Sequence, residues 1–184
     1  MKTSKLAFGL LLLLPWVGST AQADLDVLVL GSATSSTLAD QGNNYSSSNL
    51  GIGYGFLLSE RILKDWNLQF GGVTFDRRVV SPRLSSRSSL VLPLVFAYRL
   101  ASGFKLDLGG YYDLALGTPE AGMQAWTFGS LVGAQFDLPL LPGMGLALGA
   151  HYLVQLRALS TVPSEASRYS DLWFTVGLRF GTTR

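Results

Sequence analysis

The 184-residue chain contains no cysteine, one histidine, three methionines and only 14% charged residues. Without cysteine there are no disulfides, no cysteine-ligated zinc, no iron–sulfur cluster and no thiol catalysis. A lone histidine leaves too few imidazoles for an ordinary zinc site, so neither metal nor other cofactor is expected. Low charge beside 48% hydrophobic residues is the opposite of a disordered composition. A large excess of either sign is also missing. The formal charge is +2. Beyond residue 23 no apolar run approaches the ~20 residues that a helix needs to cross a bilayer.

What is present begins with an export signal. Lys2 and Lys5, the apolar run Leu6 to Leu14, and Ala21-Gln22-Ala23 are the positive, apolar and cleavage regions of a secretory signal peptide. The expected division is a signal peptide over 1–23 and one domain over 24–184. Removing 23 residues from 184 leaves 161, and removing Lys2 and Lys5 from 14 basic residues leaves 12 against 12 acidic ones. The mature charge is therefore zero, and no nucleic-acid partner is expected.

The mature segment alternates with a period of two, the signature of strands buried on one face. Eight such segments are predicted: 25–33, 50–58, 66–75, 90–100, 104–116, 124–137, 146–157 and 171–180. In 90–100, Leu90, Leu92, Leu94, Phe96, Tyr98 and Leu100 share one face. In 50–58, Leu50, Ile52, Tyr54, Phe56 and Leu58 oppose Gly51, Gly53 and Gly55. The first segment is the least regular, because Leu28 and Leu30 interrupt its alternation. Connections alternate in length. The longer, more polar ones are 34–49, 76–89, 117–123 and 158–170, and the shorter ones are 59–65, 101–103 and 138–145.

An even strand number with alternating loop lengths fits a bacterial outer-membrane barrel. A chain without an apolar helix crosses lipid only as a closed barrel, which satisfies every backbone group between strands. A soluble eight-stranded barrel also alternates, with its apolar face inward. Here the apolar face is continuous and bulky, while the opposite face mixes glycine with charge, which suits a narrow interior. Aromatics fall near strand ends at Trp66, Tyr98, Phe104, Tyr112, Trp126, Phe136, Tyr152, Trp173 and Phe180, as interfacial girdles do. The expected fold is all-β: an eight-stranded, antiparallel, up-and-down transmembrane β-barrel. Both termini are expected in the periplasm and the long loops outside the cell.

Parity places Asp26, Arg99, Lys105, Asp107, Asp113, Gln135, Asp137, His151, Gln155, Arg157 and Arg179 in the interior. Such a lining serves either a pore or a neutralising plug of ion pairs. Folding the hairpin about 101–103 sets Arg99 diagonal to Asp107, and closing the last strand on the first sets Arg179 near Asp26. The second long loop carries Arg77, Arg78, Arg83 and Arg87, whose forked guanidinium groups suit lipopolysaccharide phosphates. The alternative is an ordinary solvated loop.

The run Leu92-Pro93-Leu94, Tyr98-Arg99-Leu100 and Leu106-Asp107-Leu108-Gly109-Gly110-Tyr111 resembles the outer membrane protein beta-barrel family that includes PorT-like proteins. The likeness extends over residues 50–180, through Gly129 to Phe136, His151-Tyr152 and Val176-Gly177-Leu178-Arg179-Phe180. Leu100 replaces the family's usual aromatic. The resemblance implies architecture and location, not an activity. The last strand also resembles the recognition signal of the barrel assembly machinery, with Thr175, Gly177 and Phe180 in its polar, glycine and aromatic positions. The final aromatic position falls instead on Thr182.

Some eight-stranded barrels are lipid A deacylases or acyltransferases. The deacylase pattern has serine two residues after histidine, where this chain has Leu153, and the acyltransferase alternative needs an Asp-Ser pair that the chain lacks. No enzyme is expected. The expected protein is a monomer with a structural or surface-interaction role, touching outer-membrane lipid and lipopolysaccharide. A narrow channel, or an accessory of secretion or envelope assembly, is the alternative.

Overall fold

The computed structural model describes residues 25–40, 43–46, 50–78, 87–118, 123–159 and 167–181. The expected signal peptide, Arg83 and Thr182 lie outside them. All regular structure among the described residues is antiparallel β. The strands are β1 (Leu25–Asp40), β2 (Asn43–Ser46), β3 (Gly51–Leu63), β4 (Trp66–Arg77), β5 (Arg87–Ala101), β6 (Phe104–Ala115), β7 (Trp126–Leu141), β8 (Met144–Gln155) and β9 (Arg168–Phe180). Each strand pairs with its sequence neighbour, and β1 pairs with β9. Eight strands therefore close into a barrel without an open edge, which satisfies the backbone around the whole circuit. Strand β2 stands outside that circuit as a short return on the far end of β1, from Thr37↔Ser46 to Asp40↔Asn43.

The register fixes the barrel's shape. Pairings run from Val27 through Leu58, Phe70, Leu94, Gly110, Ser130, Val154 and Ser170 and return to β1 at Thr37. The circuit closes ten residues from where it began, from 27 to 37. With ~3.3 Å per residue and ~4.8 Å between strands, eight strands so staggered tilt about 40° and enclose a cylinder of about 8 Å radius. Side chains fill that width.

At one end, two-residue turns join β3 to β4, β5 to β6 and β7 to β8, at residues 64–65, 102–103 and 142–143. Gly103 (φ 78°) and Gly143 (φ 77°) take the left-handed conformation that such turns demand. A register irregularity flanks each turn. The chain enters β1 and leaves β9 at this turn end. The longer connections lie at the opposite, loop end. The sequence places the eight barrel strands correctly but makes the connections too long. β1 continues to Asp40 and β4 to Arg77, and β5 begins at Arg87.

Outward positions are almost wholly apolar. Leu92, Leu94, Phe96, Tyr98 and Leu100 of β5, and Leu172, Phe174, Val176, Leu178 and Phe180 of β9, are all exposed. This arrangement is the inverse of a soluble barrel. Aromatic pairs sit near both ends of the wall: Trp66 against Tyr98 at the turn end (centroids 4.9 Å apart), and Tyr112 against Trp126 at the loop end (5.4 Å). Along β7 the ten residues from Trp126 to Phe136 rise about 25 Å at that tilt, the height of an outer-membrane barrel's apolar band. Trp173 does not belong to either girdle. It is 1% exposed, inside the barrel, because its parity on β9 is that of Asp171 and Thr175.

Candidate functional site

The chemistry of the molecule is concentrated in its lumen, in three layers. At the turn end, Asp137 on β7 is the hub. Its Oδ2 receives Lys105 Nζ of β6 at 2.7 Å and Arg179 Nη1 of β9 at 2.7 Å. Its Oδ1 accepts from Gln135 Nε2 at 2.7 Å, and Gln135 Oε1 accepts from Gln69 Nε2 at 3.3 Å. Arg179 Nε also lies 3.9 Å from Asp26 Oδ2, the neighbour that strand closure predicts. Arg99 is half-buried at this end and pairs in register with Lys105.

The middle layer is mainly apolar. Leu28, Leu30, Leu57, Val73, Phe75, Val91, Val95, Leu131, Leu153 and Trp173 form one buried cluster. The leucines that blur the alternation of the first segment thus point into the lumen, and the interior is less polar than the glycine pattern implies. One ionisable pair crosses this layer: His151 Nε2 meets Asp107 Oδ2 at 2.8 Å. Asp107 is thereby taken by His151, and the expected Arg99–Asp107 pairing is not formed. Glycines give the rings their room. A Cβ on Gly133 would strike His151, and one on Gly129 would strike the ring of Tyr111, so each ring lies over a glycine of the adjacent strand.

The loop-end layer is built around Arg77, which is fully buried. Its Nη1 donates to Asp113 Oδ2 at 2.6 Å and to Ser89 Oγ at 3.0 Å. Its Nε and Nη2 grip Asp171 side-on, at 2.9 and 2.7 Å to Oδ2. The guanidinium also lies over the rings of Phe75 (4.8 Å) and Tyr169 (5.0 Å). Arg87 Nη2 approaches Asp113 Oδ1 at 3.8 Å, and its Nη1 donates to Gln124 O at 3.2 Å. Gln155 Oε1 accepts from the Tyr169 backbone N–H at 2.7 Å. Two arginines thus face two aspartates, the compensation that buried charge requires. Above them Leu38, Leu159 and Tyr169 pack with Tyr45 and Met123 across the mouth.

These positions correct two expectations. Arg77 is not a loop residue available to lipopolysaccharide, because β4 continues with the parity of Val73 and Phe75 and carries it inward. Arg87 begins β5 and turns into the mouth. Of that group only Arg78 is exposed among the described residues. Arg157 departs in the opposite direction. The N–H groups of Leu156 and Arg157 both donate to Phe128 O, at 2.9 and 3.3 Å. Two residues opposite one is a β-bulge, which breaks the alternation. Arg157 leaves the lumen and lies 3.6 Å over the ring of outward-facing Trp126, with its Nη2 donating to Gln124 Oε1 at 3.1 Å. Thr175 and Gly177 of the expected assembly signal face the lumen, and Phe180 faces outward.

Among the described residues no group of three or more His, Asp or Glu is placed to hold a metal ion. No protein-family model and no curated protein matches the chain. Its structure is similar to that of the outer membrane protein OprG from Pseudomonas aeruginosa, at 13% identity over 88% of this chain and 97% of that one, with a TM-score of 0.53. It is also similar to Neisserial surface protein A, at 17% identity over 84% and 96% (TM-score 0.52). A third likeness is to Ail, the attachment invasion locus protein of Yersinia pestis, at 14% identity over 85% and 99% (TM-score 0.51). At these identities the shared property is the fold, that of small eight-stranded outer-membrane barrels.

Proposed function

We propose that the chain is a small structural or surface-interaction protein of the bacterial outer membrane, with its long loops outside the cell, both termini periplasmic, and a lumen closed to ions. The fold, the apolar wall and the two aromatic girdles support the location. Residues 1–23 are its export signal, and Thr175, Gly177 and Phe180 are its contact with the barrel assembly machinery. The barrel closes on its own strands, which favours a monomer. The lumen is a plug and not a catalytic centre, and His151 faces Asp107 inside the wall and not the lipid.

The observation that carries this reading is the filling of the lumen. Arg77 at the loop end ties β4 to Asp113 of β6 and Asp171 of β9, and Asp137 at the turn end gathers Lys105 of β6 and Arg179 of β9 and is reached from Gln69 of β4 through Gln135, with ten or more apolar side chains between the two layers. In planar bilayers the purified protein should therefore give no steady single-channel steps, and reproducible unitary conductance would overturn the plug. A second reading, a narrow channel or an accessory of secretion or envelope assembly of the PorT-like kind, is favoured by one feature. Tyr111 Oη, Thr127 Oγ1, Gln155 Nε2 and Trp173 Nε1 are buried without a hydrogen-bond partner among the described residues, as groups beside internal water are. The same bilayer recording separates the two.

A further inference from the structure

On the outer wall of β6–β9, Arg157 and Arg168 are the only charged residues among those described. Both lie at the loop end. Every acid on these four strands faces inward and is buried: Asp107, Asp113, Asp137 and Asp171. Among the described residues the two arginines therefore make a positive spot without an acidic partner on an otherwise apolar wall.

The spot is organised. Tyr112 stacks on Trp126 (5.4 Å, 18° between planes) and packs against Phe128 (6.5 Å, 29°). Arg157 lies over the same indole. The bulge at 156–157 supplies the turn outward, and Gln124 holds one end of the guanidinium. Arg157 Nη1 and Nε meet no acceptor among the described residues. Arg168 opens β9 two residues before Ser170, the partner of Val154, and is exposed. A guanidinium held over an aromatic plate offers two parallel N–H groups, the geometry that matches phosphate oxygens. The plate beside it suits the flat, weakly polar face of a sugar ring.

We propose that Arg157, on the Tyr112–Trp126 plate, and Arg168, exposed at the loop end of β9, together seat the phosphorylated sugar headgroup of a lipid A-type glycolipid of the outer leaflet. The site differs from the loop arginines that the sequence suggests, and it rests on the reading that the loop end faces outward. Charge complementarity selects the phosphate. The position, at the upper edge of an apolar band about 25 Å tall, selects a lipid over a soluble phosphate.

The test uses the full chain purified in detergent. Native mass spectrometry would follow added diphosphoryl lipid A, dephosphorylated lipid A, phosphatidylglycerol and inorganic phosphate. Diphosphoryl lipid A should bind best. The double variant R157Q/R168Q should weaken it roughly tenfold or more, the loss of charge-assisted bonds. R157K keeps the charge without the fork and should recover binding only in part, while K64Q at the turn end should leave it unchanged. Retained heat-modifiable gel mobility shows that each variant is folded. Equal binding of the dephosphorylated lipid, equal binding of phosphatidylglycerol, or indifference to R157Q/R168Q overturns the proposal. Because the chain has no cysteine, the single variants T118C and K64C report sidedness in whole cells. Labelling at 118 but not at 64 supports the outward placement. The reverse overturns that placement and, with it, an outer-leaflet occupant, even where binding in detergent persists.

Discussion

At the scale of single residues, the parity of a strand decides whether an arginine is a surface contact or a structural pin. Arg77 looks like a loop residue if the strand is stopped at Phe75. Continued two residues further, the alternation of Asn67, Gln69, Val73 and Phe75 carries it inward, where Asp113 and Asp171 hold it. That signal was present in the sequence. The partners were not, since they lie 36 and 94 residues away. Replacing Arg77 with methionine leaves two aspartates buried without their cation, a cost of about 3–5 kcal/mol. Urea unfolding in lipid vesicles should show that loss, and adding D113N and D171N should recover much of it. An unchanged unfolding midpoint in the single variant would mean that the aspartates find other donors. His151 was readable as inward by parity. Its pairing with Asp107 was not, because it needs the registers of two successive strand pairs, β6–β7 and β7–β8, which align Asp107, Gly133 and His151 in one row.

At the scale of elements, the strands emerge from alternation, and the turns from glycine. Gly103 and Gly143 have φ near +78°, where a side chain on an L-residue costs about 1–2 kcal/mol. Gly143→Val should accordingly lower stability by that amount and reduce the fraction that migrates as folded barrel on unheated gels, with no change in the lumen. The long connections are overestimated in sequence because polar residues at strand ends look like loop. Ser35, Ser36 and Thr37 carry β1 on beside β9 as far as Ala39, their backbone groups satisfied by the neighbouring strand. The bulge at 156–157 is invisible to strict alternation. It moves Arg157 from the interior network expected for it to the outer wall.

At the scale of the whole molecule, the apolar wall is the solvent-facing surface of a protein whose solvent is lipid. The cost of a charge on it should depend on depth. Val132 lies on β7 midway between Trp126 and Phe136, whereas Leu140 lies beyond Phe136 near the turn. Val132→Arg should destabilise by about 2–4 kcal/mol and Leu140→Arg by about 0–1 kcal/mol, measured by reversible unfolding in vesicles. Equal costs would contradict the assigned apolar band. The plug and the wall are complementary consequences of one period. Each strand sends its bulk outward and its glycines and charges inward, and the stagger of ten residues makes the enclosed space narrow enough for side chains to fill.

The sequence alone determined the class of the fold, the number of barrel strands and the sorting of most side chains between wall and lumen. These follow from a local property, the period-two geometry of an extended chain with water-insoluble faces. The tertiary structure alone decided which charges meet. Partnership in the lumen depends on exact strand registers and on closure, which no local pattern encodes: Arg77 finds Asp171 through the closed circuit, Lys105 and Arg179 converge on Asp137 from either side of β7, and Asp107 takes His151 in one row across Gly133. A local irregularity, the bulge at 156–157, places Arg157 on the outer wall, whereas the parity of β9 by itself makes Trp173 interior. Alternation assigns a face only while the ladder stays regular, and the outermost charges sit where it does not.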